Sequence, residues 1–329
     1  MFGFKTKEFA IDLGSSRIRI ADKEHVLLVS DASTAILYQH EKVERIVLAY
    51  GNNAEEMHGK IPKPLQEISA IRDGAVWDKE CLREIMRNLM VQVNERLLWV
   101  NQPICICVPA QANLVEKKII QKIMKEAGGG KIRFVNRAMA TAQSIQIPFH
   151  EPHGHLIIDI GAHITEMTLL SCSDVVKSQL IKIGGEVLSL GIVRHLRKKK
   201  GIEISLLQAE TIKEKYGAAL WDSEVGADEF EIKGKSVRSS FPKAVWICPQ
   251  DVIEGLGEPL QALLEAIQEF LDAVPLEVAT DIAQTGIVLV GGGAKLRDLD
   301  EAIALHTNLP VIIPENPESL CVIGALDLH

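Results

Sequence analysis

Apolar residues along this chain form short runs, some with the two-residue period of strands and others with the longer period of helices. Residues 9–20 predict a strand, a turn that contains Asp12 and Gly14, and a second strand. Ile104 to Val108 predicts a buried strand, and residues 112–127 predict a helix with its apolar residues on one face. Strands that alternate with helices along the chain predict an α/β fold.

The strand, turn and strand of the N-terminal part recur in the second half. Asp12 and Gly14 have counterparts in Asp159 and Gly161, each pair following an apolar run. Two such hairpins predict two copies of one domain plan. A third glycine turn, at residues 291–293, ends another apolar run and is predicted to continue as a helix over residues 294–305.

Glycine turns that end apolar strands favour a phosphate or nucleotide site, because backbone amides can approach the ligand closely. We expect the three turns to converge on one cleft between two domains. Ser15, Ser16 and Thr165 offer hydroxyl donors for phosphate oxygens. Asp12 and Asp159 offer hard oxygen ligands for Mg²⁺, directly or through water. The alternative is that each Asp only caps the backbone of its own turn.

Composition narrows the possible functions. A length of 329 residues suits two domains, and 36 basic against 44 acidic residues argue against a general nucleic-acid binder. Six scattered cysteines, without a CxxC pair, predict free thiols in a reducing compartment. No signal-like start or long apolar run is present, so a cytoplasmic location is expected. The basic run at residues 197–200 is interpreted as a solvated helix end.

Four motifs together resemble one protein superfamily in their order and spacing. They are Asp12-Leu-Gly14, Asp159-Ile-Gly161, Gly184-Gly185-Glu186 and the glycines at 291–293. The superfamily contains actin, heat-shock chaperone ATPases and sugar kinases, and within it the chain is most similar to the MreB-type bacterial actins. The resemblance implies an actin-like (ribonuclease H-like) two-domain α/β fold with a nucleotide cleft between the domains. Domain I is expected at residues 1–140 plus 318–329, and domain II at 141–317.

The resemblance also implies ATP and Mg²⁺ as cofactors, although the choice between ATP and GTP stays open. Glu210 and Lys213 are expected to contact the ribose and base. Asp12 and Asp159 are the expected Mg²⁺ ligands, through water. The full set of expected nucleotide contacts is Asp12, Gly14, Ser15, Ser16, Arg17, Asp159, Gly161, Ala162, His163, Ile164, Thr165, Glu210, Lys213, Gly291, Gly292, Gly293, Ala294 and Lys295.

The chain departs from the family pattern at positions that matter for hydrolysis. Arg137 stands where the resemblance implies a glutamate that orients the attacking water. A guanidinium group cannot accept the proton of that water. Ala162 and His163 add side chains in the second turn, and Arg17 replaces the usual Asn in the first. We therefore expect nucleotide binding with weak or lost hydrolysis, at most a slow ATPase coupled to polymerisation.

Two apolar segments predict contact with a membrane. Phe2 and Phe4 lie at the start, and Leu97, Leu98 and Trp99 lie where MreB-type proteins have a membrane-inserting loop. The alternative for Leu97 and Trp99 is packing beneath the next strand. The expected partners are further copies of the chain, the inner membrane surface and membrane-bound cell-shape proteins. The expected location is cytoplasmic, peripheral at the inner face of the cell membrane.

The function that the resemblance implies is a cytoskeletal protein whose membrane-associated filaments organise cell shape and cell-wall synthesis. Two other classes stay open: a non-polymerising actin-fold adaptor that recruits a membrane-bound machinery, and a phosphotransferase. The second would need a catalytic Asp after Pro109, and none is found there. His150, His153 and His155 are a weaker alternative site, for zinc.

Overall fold

The computed structural model describes residues 8–40, 43–94, 102–221 and 228–328. The chain divides into two units. The first consists of Met1–Pro152, Leu170–Ser178 and Glu318–His329, and the second of His153–Leu169 and Gln179–Pro317. The boundaries expected between domain I and domain II, at residues 140 and 318, stay a prediction.

Strands dominate the beginning of the chain, and helices follow them. The elements up to residue 144 are β1 (Phe9–Leu13), β2 (Arg17–Asp22), β3 (Leu27–Ala32), β4 (Thr34–His40), β5 (Val43–Tyr50), α1 (Gly51–Glu56), β6 (Leu65–Ser69), β7 (Ile71–Arg72), β8 (Ala75–Val76), α2 (Lys79–Asn94), β9 (Ile104–Val108), α3 (Leu114–Glu126), β10 (Ile132–Asn136) and α4 (Arg137–Ser144). The helix α3 begins with a capping box, in which Asn113 and Glu116 satisfy one another's backbone amides.

The rest of the chain repeats the change from strands to helices. Its elements are β11 (His155–Ile160), β12 (Thr165–Ser171), β13 (Asp174–Ile181), α5 (Gly185–Lys199), β14 (Ile202–Glu203), α6 (Leu206–Tyr216), β15 (Phe230–Ser236), β16 (Pro242–Ile247), α7 (Pro249–Asp272), α8 (Leu276–Thr285), β17 (Ile287–Val290), α9 (Leu299–Thr307), β18 (Val311–Ile312) and α10 (Leu320–Gly324).

The two large sheets share one strand order. The first runs β10-β9-β1-β2-β3 and the second β18-β17-β11-β12-β13. In each, the strand with the Asp-x-Gly motif is central and pairs in parallel with a later strand, β1 with β9 and β11 with β17. The domain plan that the two hairpins predicted to occur twice is confirmed by this correspondence.

Helix α10 completes the core of the first unit. Its buried residues Cys321 and Val322 pack with Ala10 of β1, Cys107 of β9 and Ala140 of α4. Apolar burial of this kind is the main stabilising contribution to a fold. Residues that follow the whole second unit in the chain therefore supply part of the first unit's core.

The predicted helices and strands differ from the structure in two places. The continuous helix predicted over residues 294–305 is wrong, because Gly292–Lys295 form a 3₁₀ turn and α9 begins only at Leu299. Asp298 lies between them in the left-handed conformation (φ +59°), which an α-helix interior does not accept. The spacing of apolar residues over 260–271 also predicts an amphipathic helix, and the helix observed there, α7, is longer because it begins at Pro249.

The segments predicted to touch a membrane lie outside the described residues. They are Phe2, Phe4, Leu97, Leu98 and Trp99. Among the helices within the described ranges, none is long and apolar enough to cross a membrane.

Candidate functional site

The first Asp-x-Gly turn is closed by its own backbone. The N–H of Gly14 donates to the carbonyl of Arg17 over 3.0 Å. Ser33, the residue directly after β3, also holds the turn. Its hydroxyl donates to the Ser15 carbonyl, and its N–H donates to the Ser16 carbonyl. The turn is therefore held in one conformation at the end of β1, as a phosphate-binding loop requires.

The second Asp-x-Gly turn has the same closing hydrogen bond. The N–H of Gly161 donates to the carbonyl of Ile164 over 2.9 Å. The carbonyls of Gly161 and Ala162 accept from the backbone N–H groups of Gly185 and Glu186, at 3.0 and 2.8 Å. These are the first residues of α5, so the turn satisfies donors that a helix start leaves without partners.

The third glycine turn lies beside Asp159. Asp159 at the end of β11 pairs with Val290 at the end of β17, and Gly291 follows. Gly291 has φ +84°, and any Cβ there would overlap the Asp159 carboxylate and the Ile160 carbonyl. Gly292 is exposed, and a Cβ there would meet no atom within 4 Å. Gly291 is thus required by packing within the unit, while Gly292 leaves space for a ligand.

The carboxylate of Asp12 is bound by Arg137. The sequence assigns both residues to one site but does not predict this contact. Nη2 of Arg137 donates to Oδ1 of Asp12 over 2.8 Å, and both side chains are buried. Nη1 of Arg19, the cross-strand partner of Asp12 in β2, lies 3.8 Å from its Oδ2. The ion pair joins residues 125 positions apart, and no local pattern in the sequence could have revealed it.

The contacts of Asp12 do not fit direct coordination of Mg²⁺ by its carboxylate, while the expected contact through water stays a prediction. A ligand carboxylate has to offer its oxygen to the metal, whereas each oxygen of Asp12 faces a guanidinium group. Asp159 lies one residue before the end of β11, beside the third glycine turn, and its expected role as a Mg²⁺ ligand through water stays a prediction.

Several expected nucleotide contacts are engaged within the second unit. The hydroxyl of Thr165 is buried and donates to the Ile183 carbonyl over 2.6 Å. Nε2 of His163 lies 2.7 Å from Oε2 of Glu186. Nζ of Lys213 is 2.8 Å from the Gly185 carbonyl, 2.9 Å from Oγ of Ser189 and 3.4 Å from Oε1 of Glu210. In this geometry Thr165 and Lys213 stabilise the protein itself.

The structure thus gathers the predicted site residues into two groups. The first unit brings together Asp12, the turn at residues 14–17 and Arg137. The second brings together Asp159, the turn at 161–165, the start of α5 with Lys213, and the turn at 291–295. Arg17 pairs with Glu55 over 2.9 Å.

Within the described ranges, the side chains that come close enough to share a metal ion are His195, Asp251 and Glu254, and not the three histidines at 150, 153 and 155. Nζ of Lys199 lies 2.6 Å from Glu254 and 3.0 Å from Asp251, and Lys200 lies 3.2 Å from Asp251. The basic run expected to be a solvated helix end is therefore partly ion-paired. We interpret the cluster as an ion-pair network between α5 and α7.

The pKa values of the cluster follow from these contacts. The hydrogen bond from Lys199 lowers the pKa of Glu254. Desolvation is the largest effect on Asp251 and raises its pKa, but hydrogen bonds from Lys199, the Cys248 backbone and Lys200 together lower it below its ordinary value. Hydrogen bonds to Glu254 and Asp251 raise the pKa of Lys199. Each shift favours the charged form of its group.

Comparison with solved structures identifies proteins that share this fold. MreB5 of Spiroplasma citri, solved with ADP and with AMPPNP, is similar at a TM-score of 0.91 and 23% sequence identity, over 99% of this chain and 96% of that one. The MamK double helical filament is similar at a TM-score of 0.74 and 17% identity, over 98% of each chain. The expected actin-like two-domain α/β fold is confirmed.

Comparison with known sequences identifies the family of the chain. The family model described as MreB/Mbl protein matches residues 6–329. The cell shape-determining protein MreB of Escherichia coli K12 is 30% identical over 335 residues, which cover 99% of this chain and 96% of that protein. The chain belongs to the MreB/Mbl family of actin-like proteins.

Proposed function

We propose that this chain is an ATP-binding, actin-like cytoskeletal protein that assembles into filaments at the inner face of the cell membrane. Its filaments would help to organise cell shape and cell-wall synthesis. The observation that carries the proposal is the match to the MreB/Mbl family along the whole chain, with all three glycine turns retained at the ends of β1, β11 and β17.

Support for nucleotide binding comes from the turns and from the structural neighbours. The first two turns are held by the same hydrogen bond, from Gly14 to Arg17 and from Gly161 to Ile164. The solved MreB5 structures contain ADP and AMPPNP. We propose that the turns contact the phosphates of ATP, with Gly292 and Lys295 near the adenosine.

Support for weak or lost hydrolysis comes from Arg137. Its guanidinium group binds Asp12 and has no lone pair with which to accept a proton from water. Near the first turn, this arrangement replaces a general base with a fixed positive charge. We therefore propose that turnover is slow or absent while nucleotide binding persists.

Support for self-assembly comes from a relative that forms a double helical filament, MamK. Identical subunits joined head to tail form an open filament when the contact does not close on itself. Membrane attachment through Phe2, Phe4, Leu97, Leu98 and Trp99 is part of the proposal, and filament formation would strengthen it through multivalency.

The test measures nucleotide binding and sedimentation on one preparation. We expect the wild type to bind fluorescent ATP and to pellet with ATP, and to pellet more fully with anionic liposomes. Gly292→Val would add a side chain in open space, so it should fold with an unchanged melting temperature and bind ATP at least about tenfold more weakly. A wild type that binds no nucleotide and never pellets would refute the proposal.

A second candidate is a non-polymerising adaptor that binds ATP and recruits a membrane-bound machinery. The buried Arg137–Asp12 pair favours it, because filament turnover in ATP-driven systems uses hydrolysis and this pair removes the expected base. Binding of ATP by a chain that stays monomeric in analytical ultracentrifugation at all concentrations would select this candidate.

A further inference from the structure

We infer that Arg137 is the resident cation of the first glycine turn and that nucleotide binding by this chain does not require Mg²⁺. The inference rests on the proposed nucleotide binding and concerns how the negative charge of the phosphates is balanced. It follows from the disagreement between the expected metal at Asp12 and the contacts of Asp12.

Burial distinguishes the Arg137–Asp12 ion pair from an ion pair on the protein surface. Arg137 is 9% exposed and Asp12 is 5% exposed, and the contact joins Nη2 to Oδ1 over 2.8 Å. An ion pair on a protein surface exchanges readily with water, whereas breaking a buried pair leaves an uncompensated charge. A divalent cation would have to displace this guanidinium before Oδ1 of Asp12 could coordinate it directly.

A second guanidinium makes such displacement harder. Nη1 of Arg19 lies 3.8 Å from Oδ2 of Asp12, whereas Arg137 contacts the other oxygen, Oδ1. Two guanidinium groups therefore lie against one carboxylate at the end of β1. Their positive charges repel a divalent cation and attract an anion such as a nucleoside triphosphate.

The position of Arg137 in its helix supports a role beyond helix stability. Arg137 is the first residue of α4, after the N-cap Asn136. The start of a helix carries partial positive charge and favours carboxylates, so a buried cation there is unfavourable for the helix alone. Asp12 offsets that cost, and the helix directs the guanidinium group to the turn.

The chemistry of a guanidinium group suits the binding of phosphate oxygens. The planar group carries several N–H donors that bind phosphate oxygens in a forked geometry, and it stays charged at any physiological pH. Its charge is fixed in the protein, while Mg²⁺ arrives with the nucleotide. Binding should then respond little to chelation of free Mg²⁺.

The experiment is a fluorescence titration with N-methylanthraniloyl-ATP in Mg²⁺ and in EDTA, on the wild type, Arg137→Met and Arg19→Met. For the wild type we expect the two dissociation constants to agree within about threefold. For Arg137→Met we expect binding in EDTA to weaken about tenfold or more, with recovery in Mg²⁺ because Asp12 is then accessible. Arg19→Met removes only the longer, 3.8 Å contact with Asp12 and keeps the Arg137 contact, so its dependence on Mg²⁺ should be smaller than that of Arg137→Met.

The wild-type comparison needs no variant, so it decides the matter even if Arg137→Met fails to fold by circular dichroism. A wild type that loses tenfold or more of its affinity in EDTA overturns the inference and leaves the proposed function standing. A wild type that binds in neither buffer overturns both. Equal affinity in both buffers supports both.

Discussion

Gly191 of α5 and Gly255 of α7 face one another where the two helices cross. A Cβ on Gly191 would overlap the Gly255 carbonyl, and a Cβ on Gly255 would lie 2.8 Å from the Cα of Ile192. Both glycines are buried. The close approach of the two backbones thus depends on the absence of side chains at these two positions.

Gly255→Ala should destabilise the protein by about 1–3 kcal/mol, because the new methyl group meets backbone that cannot move aside easily. Gly257, two residues later in α7, provides the matched control, since a Cβ there would meet nothing within 4 Å. Gly257→Ala should stabilise by roughly 0.5–1 kcal/mol through helix propensity. Urea unfolding measures both, and effects of the same sign would contradict the close helix crossing.

Lys213→Met should destabilise the protein by about 1–3 kcal/mol. The substitution removes the donor for the Gly185 carbonyl and for Ser189 Oγ, in a place where Lys213 is only 8% exposed. The exposed Lys198→Met should stay within about 0.5 kcal/mol of the wild type. If Lys213→Met keeps wild-type stability and only loses ATP affinity, Lys213 contacts the nucleotide as the resemblance implies.

Stability should fall as the pH drops below 6.5, through His195. Desolvation and then Lys199 and Lys198 lower its pKa from 6.5, outweighing Glu254 and Asp251, which raise it. The unfolded chain therefore binds the proton more tightly, so the free energy of unfolding rises with pH between the folded pKa and 6.5. One such group contributes a slope of at most about 1.4 kcal/mol per pH unit.

His195→Gln should flatten this slope in urea unfolding measured from pH 7 to pH 5. The exposed His150→Gln is the matched control. An unchanged slope in His195→Gln would show that another group carries the pH dependence.

Cys172 should react first with a thiol reagent under native conditions, because it is exposed while Cys81, Cys105, Cys107 and Cys321 are buried. Burial raises the pKa of Cys81 and of Cys105 to about 12, which lowers their thiolate fractions on the order of a thousandfold. Labelling with DTNB at pH 8 should give a fast phase that Cys172→Ser removes. A fast phase that persists in that variant would mean that the half-buried Cys248 or one of the buried thiols reacts as fast as Cys172.

The sequence predicted well those features that depend on neighbouring residues. Strand β9 was predicted at its observed bounds, because five apolar residues before Pro109 have few alternatives. The two hairpins could be predicted because the conformation of a tight turn depends on a few neighbouring residues, here Asp-x-Gly. The break before α9 was missed because it depends on one residue, Asp298, in the left-handed conformation.

The contacts of the candidate site were harder to predict. The sequence indicated that Asp12 and Arg137 belong to one site, but their ion pair depends on where β1 and α4 lie in three dimensions. The contact of Lys213 with the ribose or base stays a prediction, and the sequence did not reveal its hydrogen bonds with Gly185 and Ser189, 28 and 24 positions away. Pairings of this range are set by tertiary packing, which periodicity does not encode.

The packing of α10 against β1, β9 and α4 has a consequence for synthesis on the ribosome. The first unit cannot close its core until residues after Glu318 have left the exit tunnel, although its first strands emerge at the outset. At roughly 5–20 residues per second, the nascent chain carries an open apolar face for about fifteen to sixty seconds. During that interval Cys105 and Cys107 lack the cover that the C-terminal residues provide in the finished protein.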